Sequence, residues 1–450
     1  MAVNPNLPDA HRFQGHALRN QAAEDPLLTH TQPGSPMGEA MRLHWQPVCL
    51  SSQLKDLPLA LRILGEDLVA FRDRKGQVGL LHKHCSHRGA SLEFGRITDE
   101  GIRCCYHGWH FSHDGRLLDA PAEPPHSPLL RQVKHGAYPV MEFKGLVFAY
   151  LGPSAQMPAF PNFDSMQFDG VELVPYALSH DCNWLQVHEN LMDPLHAVFL
   201  HSRMGEIQLT EAWGEMPAVE WFEQGDRVCY LTSRQIDDHV WVRFNEVAFP
   251  NFGQVAGFWE DGKAVKYFER IGATRWTVPI DNTHCWIFGW RHFSPSLEAK
   301  GLGNASQVGL NRLDIYGQTG DRCYDEMQRN TGDWEAEVSQ GPIAIHAKEN
   351  KGSSDRGVVM LRRHLAQGLD KAHQPPRSID GQTPTWTCNV VLHRPDPMPA
   401  QGTLTLSSQE LLAIGRSVQA IILAADALPP ALRQAHIVAN LKALSKPYFA

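Results

Sequence analysis

Residues 85–111 read CSHRGASLEFGRITDEGIRCCYHGWHF, and two short loops within them carry the same chemistry. The first offers Cys85-x-His87 and the second Cys104-x-x-His107, and a glycine follows each pair, Gly89 and Gly108. Zinc accepts Cys and His ligands in a closed tetrahedron, but zinc fingers pair Cys with Cys and His with His along the chain. Here each loop supplies one of each. That suits two irons with different needs, one held by two thiolates and the other by two imidazoles. The glycines let the backbone turn tightly and bring amides close to the sulfurs. A zinc-stabilised binding or hydrolytic protein is the rival reading of the same four residues.

Around these loops the chain is β-rich. WQPVCL, LRILGEDLVAFRD and QVGLLHKHC are short apolar runs punctuated by Gly and Asp, the mark of a small antiparallel β domain. The pattern continues through GAYPVMEFKGLVFAYLG and stops at PSAQMPAFPNF, which places a boundary near residue 158. Beyond it, DCNWLQVHENLMDPLHAVFLH has apolar residues at three- and four-residue spacing and reads as helix. VCYLTSRQI, HVWVRFNEVAF, KYFERIGATRWTVPI and HCWIFGWRHF then read as strands of a larger sheet, and a helical region runs roughly from Arg312 to Gln340. From about Gln374 follow a proline-rich linker, a strand-like WTCNVVLHR and a helical segment starting at SSQELLAIGRSV. Ser407 or Ser408 with Glu410 forms a capping box there.

The helix after the boundary carries a second constellation, ENLMDPLHAVFLH at 189–201. On a helix Asp193 and His196, three apart, share a face. His196 and His201 are five apart, which separates them by roughly 140° on an ideal helix. For both to reach one metal the helix must widen, so the spacing predicts a π-type turn between them. Two histidines and a carboxylate make the facial triad of non-haem Fe(II) oxygenases, with positions left open for O2.

CSHRGA and CCYHGWHF resemble the two loops of the Rieske domain of ring-hydroxylating oxygenases. Ala90 stands where respiratory Rieske proteins carry a bridging cysteine, so the resemblance is to the oxygenase branch, with Cys105 as a non-ligating spare. Asn190-x-x-Asp193-x-x-His196-x4-His201 resembles the iron motif of the oxygenase α subunit. GSPMGEAMRLHWQPV, SQGPI and SSDRGVVMLRR resemble the phthalate dioxygenase-like and dehydrodivanillate O-demethylase-like subgroup, over roughly residues 34–368. The resemblance implies one Rieske 2Fe-2S cluster on Cys85, His87, Cys104 and His107, and one mononuclear non-haem Fe(II). His196 and His201 would hold that iron with Asp333, which is preferred over Asp321, Asp325 and Asp355. Asp193, with Asn190 beside it in the motif, would act on catalysis without ligating, by bonding His196 and the cluster ligand His107 of a neighbouring subunit. That arrangement implies a homotrimer or hexamer. The fold implied is α+β: an antiparallel β Rieske domain (45–158) after an N-terminal segment (1–44), a helix-covered antiparallel-sheet catalytic domain of helix-grip type (159–370), and a C-terminal extension (371–450).

Bulk properties narrow the function. A net charge of −8 without a basic block argues against nucleic acid, and no segment is apolar enough for a membrane span or signal peptide. Nine scattered cysteines suggest a reduced, cytoplasmic protein, with Cys49, Cys182, Cys229, Cys285, Cys323 and Cys388 buried. His82, His84 and His110 read as surface or supporting residues. No GxGxxG and no plant-type ferredoxin spacing appears, so the electrons must come from a separate NAD(P)H-dependent reductase of flavin/ferredoxin type. The expected activity is hydroxylation, as a dioxygenase, of a small aromatic substrate of carboxylate type with O2. O-demethylation or ether cleavage, and a bare electron carrier, are the alternatives. Trp213, Phe244, Phe249, Phe252, Phe258, Trp286, Trp290 and Phe293 are candidate pocket aromatics, and Arg203 and Arg243 candidate carboxylate partners.

Overall fold

In the computed structural model, residues 22–124, 126–295, 303–370, 382–393 and 405–445 and Gly15 are described. Eleven strands make up the first part of the chain: β1 (Gln46–Leu50), β2 (Leu59–Ile63), β3 (Glu66–Arg72), β4 (Val78–His82), β5 (Arg96–Ile97), β6 (Ile102–Arg103), β7 (His110–Phe111), β8 (Leu117–Asp119), β9 (Ala137–Tyr138), β10 (Val140–Phe143) and β11 (Leu146–Ala149). They form three antiparallel sheets, ordered β1-β11-β10, β2-β3-β4-β9 and β5-β6-β7-β8. LRILGEDLVAFRD is thus a hairpin, turning at Leu64-Gly65 where both residues have positive φ. The β5–β8 sheet has its own small core of Phe71, Leu92, Ile102, Trp109, Phe111 and Leu117, beneath the Cys/His loops. Before β1, α1 (Pro26–Thr29) and α2 (Pro36–Arg42) dock on the part of the chain beyond β11, where Trp184 Nε1 donates to the Leu28 carbonyl at 3.1 Å, and α3 (Leu129–Gln132) lies between β8 and β9.

A nine-stranded antiparallel sheet follows, from β12 (Glu172–His180), β13 (Ala218–Gln224), β14 (Arg227–Ile236), β15 (His239–Ala248), β16 (Phe252–Ala256), β17 (Lys266–Glu269), β18 (Ile271–Pro279), β19 (Cys285–Phe293) and β20 (Cys388–His393). Its order is β12-β19-β18-β16-β15-β14-β13, with β20 paired to β15 and β17. β15 is buried along its whole length, so both its faces are covered. Alternation sorts its side chains. Val240, Val242 and Phe244 pack with Leu411, Ile414 and Val418 of α9 (Ser408–Ala424) and with α10 (Pro430–Ser445), while Arg243 and Asn245 face a cavity on the other side. Helices α9 and α10 are therefore the outer cover of the sheet, while β20, from the same C-terminal stretch, is one of its strands. Ser407 caps α9 with Glu410 in the expected box. The proline-rich stretch around Gln374 lies outside the described residues.

On the inner face α4 (Trp184–Glu189) packs against β18, and α5 (His196–Val198) meets β15 and β20 through Ala197, which gives the helix-covered sheet of helix-grip type. The expected single helix across 181–201 is broken: a 3-10 turn spans Asn190–Met192, and Asp193 leaves helical geometry at φ −110, ψ 86. Pro194 explains the break, since proline drives the preceding residue out of the helical region and brings no N–H. Asp193 and His196 therefore do not share a helix face. The Arg312–Gln340 region is likewise helical only in α6 (Tyr324–Arg329) and α7 (Asp333–Val338); α8 (Arg356–Leu369) follows. Of the cysteines expected to be buried, Cys323 is exposed, because it precedes α6, a helix with no buried residue. Among the described residues no helix is long and apolar enough to cross a membrane.

Candidate active site

The two Cys/His loops are near-copies in backbone geometry. Cys85 N–H donates to the Ala90 carbonyl and Gly89 N–H to that of Cys85; Cys104 N–H donates to Trp109 and Gly108 N–H to Cys104. Both glycines have positive φ, 78° and 73°, which side chains disfavour. The fold sets Cys85 beside Cys104 and the His87 ring 4.6 Å from that of His107. Burial pushes the Cys85 thiol up to about 11, against the N–H groups of His87 and Arg88 that bond its sulfur. Trp109 stacks on His87 at 4.5 Å and 9°. Sulfur lies beside sulfur and ring beside ring, so the four residues split into a thiolate pair and an imidazole pair, the division a Rieske cluster needs. Cys105 is exposed, His82 and His84 are exposed, and His110 is half-buried on Thr98 and the Glu100 carbonyl.

The second constellation closes around one point. After α5 the backbone forms a π-helix over Phe199–Arg203, as the five-residue spacing predicts, and it swings His201 to the side of His196. One ligand atom each from His196, His201 and Asp333 lie within 4.8 Å of one another. Nε2 of His196 and Nε2 of His201 stand 3.6 and 3.4 Å from Asp333 Oδ1. Asp333 starts α7, and Gly317 and Gly332 let the preceding loop approach it; a Cβ on Gly317 would come within 2.4 Å of Gly332 Cα. Of the four aspartates weighed, Asp333 is the one the fold brings to the histidines.

The surroundings orient all three groups. His201 Nδ1 bonds the Gln208 side-chain oxygen at 2.8 Å, and His196 Nδ1 bonds the Asp193 backbone carbonyl, so each ring turns Nε2 inward. The Asp193 carboxylate itself is 3.9 Å from His196 Nδ1 and caps the N–H groups of Leu195 and His196. Asn190 donates to Asp333 Oδ1 at 3.1 Å and Gln318 to Oδ2 at 2.6 Å. Burial would raise the Asp333 carboxyl, but the adjoining His201, its hydrogen bond and His196 hold it far below the usual range. Gln208 and Gln318 were not among the sequence candidates. Their only sequence trace is proximity, Gln208 to the π turn and Gln318 to Gly317.

These three groups open into a narrow cavity of about 80 Å³, lined mainly by apolar side chains with a few polar ones. Of the eight candidate aromatics only Trp213 and Phe258 line it; Phe244, Phe249, Phe252, Trp286, Trp290 and Phe293 belong to core clusters because they sit on other faces or strands. Arg203 lies outside, donating to the Gly214 carbonyl, whereas Arg243 lines the cavity together with Arg234. Both guanidiniums are buried, and among the described residues neither has a carboxylate within ion-pair distance. Trp213 sits 4.6 Å from Arg243, and Trp241 5.0 Å from Arg234. Burial, and then the charge of Arg243, bring the Arg234 guanidinium down to about 9.

Residues 44–141 match the Rieske [2Fe-2S] domain. The chain is 42% identical, over 95% of its length and 95% of the relative's, to the tert-butanol monooxygenase / tert-amyl alcohol desaturase oxygenase subunit of Aquincola tertiaricarbonis. The chain belongs to the Rieske oxygenase family. Two other family members are similar: the phenoxybenzoate dioxygenase α subunit of Ectopseudomonas oleovorans (35% identity, 77% of this chain, 84% of that one) and the phthalate 4,5-dioxygenase oxygenase subunit of Pseudomonas putida (32%, 77% and 85%). Dicamba monooxygenase bound to 3,6-dichlorosalicylic acid shares the fold at TM-score 0.55 and 19% identity, covering 74% of this chain and 99% of that one. As a Rieske oxygenase the protein is an O2-using oxidoreductase with a [2Fe-2S] cluster and a mononuclear iron. The donor sets described above fit both groups: paired sulfurs and paired rings for the cluster, two inward Nε2 atoms and one carboxylate for the iron.

Proposed function

We propose that this chain is the terminal oxygenase component of a multi-component system that hydroxylates a small aromatic carboxylate. Cys85, Cys104, His87 and His107 hold the cluster, and His196, His201 and Asp333 the iron. When bound, the two groups supply electron relay and O2 activation. The chain's own side chains do the rest. Asn190 and Gln318 hold the Asp333 carboxylate, and Gln208 and the Asp193 carbonyl hold the rings. Trp213, Leu209, Phe258 and Ile287 restrict water. The observation that carries the substrate class is the pair of buried, carboxylate-free guanidiniums, Arg234 and Arg243, in the wall of the cavity beneath which Asp333 sits. A buried cation without an anion is costly, and a substrate carboxylate would relieve that cost with charge-assisted hydrogen bonds.

The division at residues 158 and 370 is part of the same proposal, as are a cytoplasmic location, a separate NAD(P)H-dependent reductase and a homotrimer or hexamer. Asp193 supports the last. It faces a polar surface cleft with Glu349, Lys351 and Arg362, on the far side of His196 from the substrate cavity, where a neighbour's His107 could approach.

A second reading is favoured by one observation: the relative that matches over 95% of both chains is named for a tertiary alcohol. The test is turnover with reductase, NADH and 18O2 on an aromatic carboxylate, its methyl ester, an aryl methyl ether and a tertiary alcohol. Product from the acid, carrying two 18O atoms, with the ester inert, bears out the proposal. Product from the alcohol or ether with the acid inert replaces it with monooxygenation of a neutral substrate.

A further inference from the structure

A second group of metal-type ligands lies away from this site. Asp238, His239 and His393 each place one ligand atom within 4.8 Å of the other two. The sequence brings them together through strand pairing. Asp238 sits in the tight β14–β15 turn, beside Asp237 at φ 50°, and His239 is the first residue of β15. His393 is the last residue of β20 and lies directly opposite His239 in the antiparallel register, their rings stacked at 4.9 Å. Neighbours in such a pair hold their side chains on the same face of the sheet.

His239 gives the independent sign of a ligand. It is 9% exposed, yet its Nδ1 has no hydrogen-bond partner, although Asp238 Oδ1 stands 2.9 Å away, out of line for a bond. A buried imidazole nitrogen is normally satisfied. A nitrogen and a carboxylate oxygen that crowd together without bonding are suited to sharing a cation. Asp238 and His393 are both exposed, so an ion can reach the group from solvent.

We propose that Asp238, His239 and His393 form a surface site for a borderline divalent cation such as Zn2+, with water completing the coordination. Two imidazoles and one carboxylate suit zinc, nickel or copper and not calcium or magnesium, which take oxygen ligands. The ion would fasten the end of β20 to the β14–β15 turn. Four residues from His393, Asn389 accepts from Trp241 Nε1 at 3.0 Å and Arg243 Nη1 at 3.3 Å. The fastening thus bears on the strand that supports the cation-lined wall of the cavity, whatever substrate that wall receives.

The test is calorimetric titration of ZnCl2 into the iron-replete holoenzyme, with iron assayed before and after. Wild type should take up one zinc per chain with no loss of iron, and its thermal midpoint should rise. Asp238→Ala and His393→Ala, at exposed positions where folding is little disturbed, should abolish both effects. Cu2+ in place of zinc should give an EPR signal with nitrogen hyperfine structure that His393→Ala simplifies. No zinc uptake by wild type, zinc uptake that displaces iron, or unchanged uptake in both variants overturns the proposal.

Discussion

Gln208 and His201 are joined by a 2.8 Å hydrogen bond, and the same Gln208 amide donates to the Thr331 carbonyl, two residues before Asp333. One side chain therefore ties the π-helical segment to the start of α7. It fixes the separation of two proposed iron ligands that are far apart in the chain.

Gln208→Leu removes both bonds. Iron should be held about ten- to a hundredfold more weakly, the range for loss of a partner that orients a metal-bound histidine. Chelator competition followed by metal assay checks this, with the cluster's visible spectrum unchanged. Iron retention equal to wild type would show that Gln208 does not orient His201.

Asp333→Ala should leave one iron fewer per chain and abolish hydroxylation while the cluster still reduces with dithionite. Iron and sulfide assays with low-temperature EPR read both centres. A variant that keeps all its iron would remove Asp333 from the ligand set.

How much of this was legible in the sequence depends on distance along the chain. The proposed cluster ligands lie in two loops of one short stretch, and His196 and His201 are close enough that their spacing alone called for the π turn. Asp333 lies far downstream and was found only through its flanking residues. Gln208 and Gln318 carry no periodic signal, because tertiary approach alone gives them their roles. The pocket aromatics were over-read for a related reason. Composition does not say which face of a strand a ring takes, and core packing claimed Phe244 and Trp290. Pro194 signalled the break in the helix, but apolar spacing on either side masked it.

Arg234→Gln leaves a neutral amide where a substrate carboxylate would be paired. The loss of a charged hydrogen bond, about 1.5–3 kcal/mol, should raise KM for the acid roughly ten- to a hundredfold with kcat little changed. Steady-state kinetics on the acid and on a neutral analogue separates anchoring from a general loss of structure, since the analogue's KM should not move.

Acid should weaken the fold through two histidines. Burial first, then repulsion from Arg275 or Arg291, brings His188 and His292 down to about 3 from an ordinary 6.5. Between those values the unfolded chain binds more protons, so their stabilisation is complete above pH 6.5 and is lost as pH falls toward 3. The slope is roughly 1.4 kcal/mol per pH unit for each. His292→Gln, which can keep the bond to Thr274, should flatten the decline by about one such contribution between pH 6.5 and 5, read from urea midpoints. An unchanged slope would mean that His292 gains no proton on unfolding.

The alternation along β15 has an evolutionary consequence. Because Arg243 and Asn245 face the cavity while Val242 and Phe244 meet α9, the lining of the cavity and the attachment of the C-terminal helices are written in interleaved letters on one strand. Point substitutions can rewrite either message alone. A single inserted residue would exchange them, placing guanidinium against α9 and valine in the cavity. Diversification of this strand is thereby confined to replacement, and its length is held fixed.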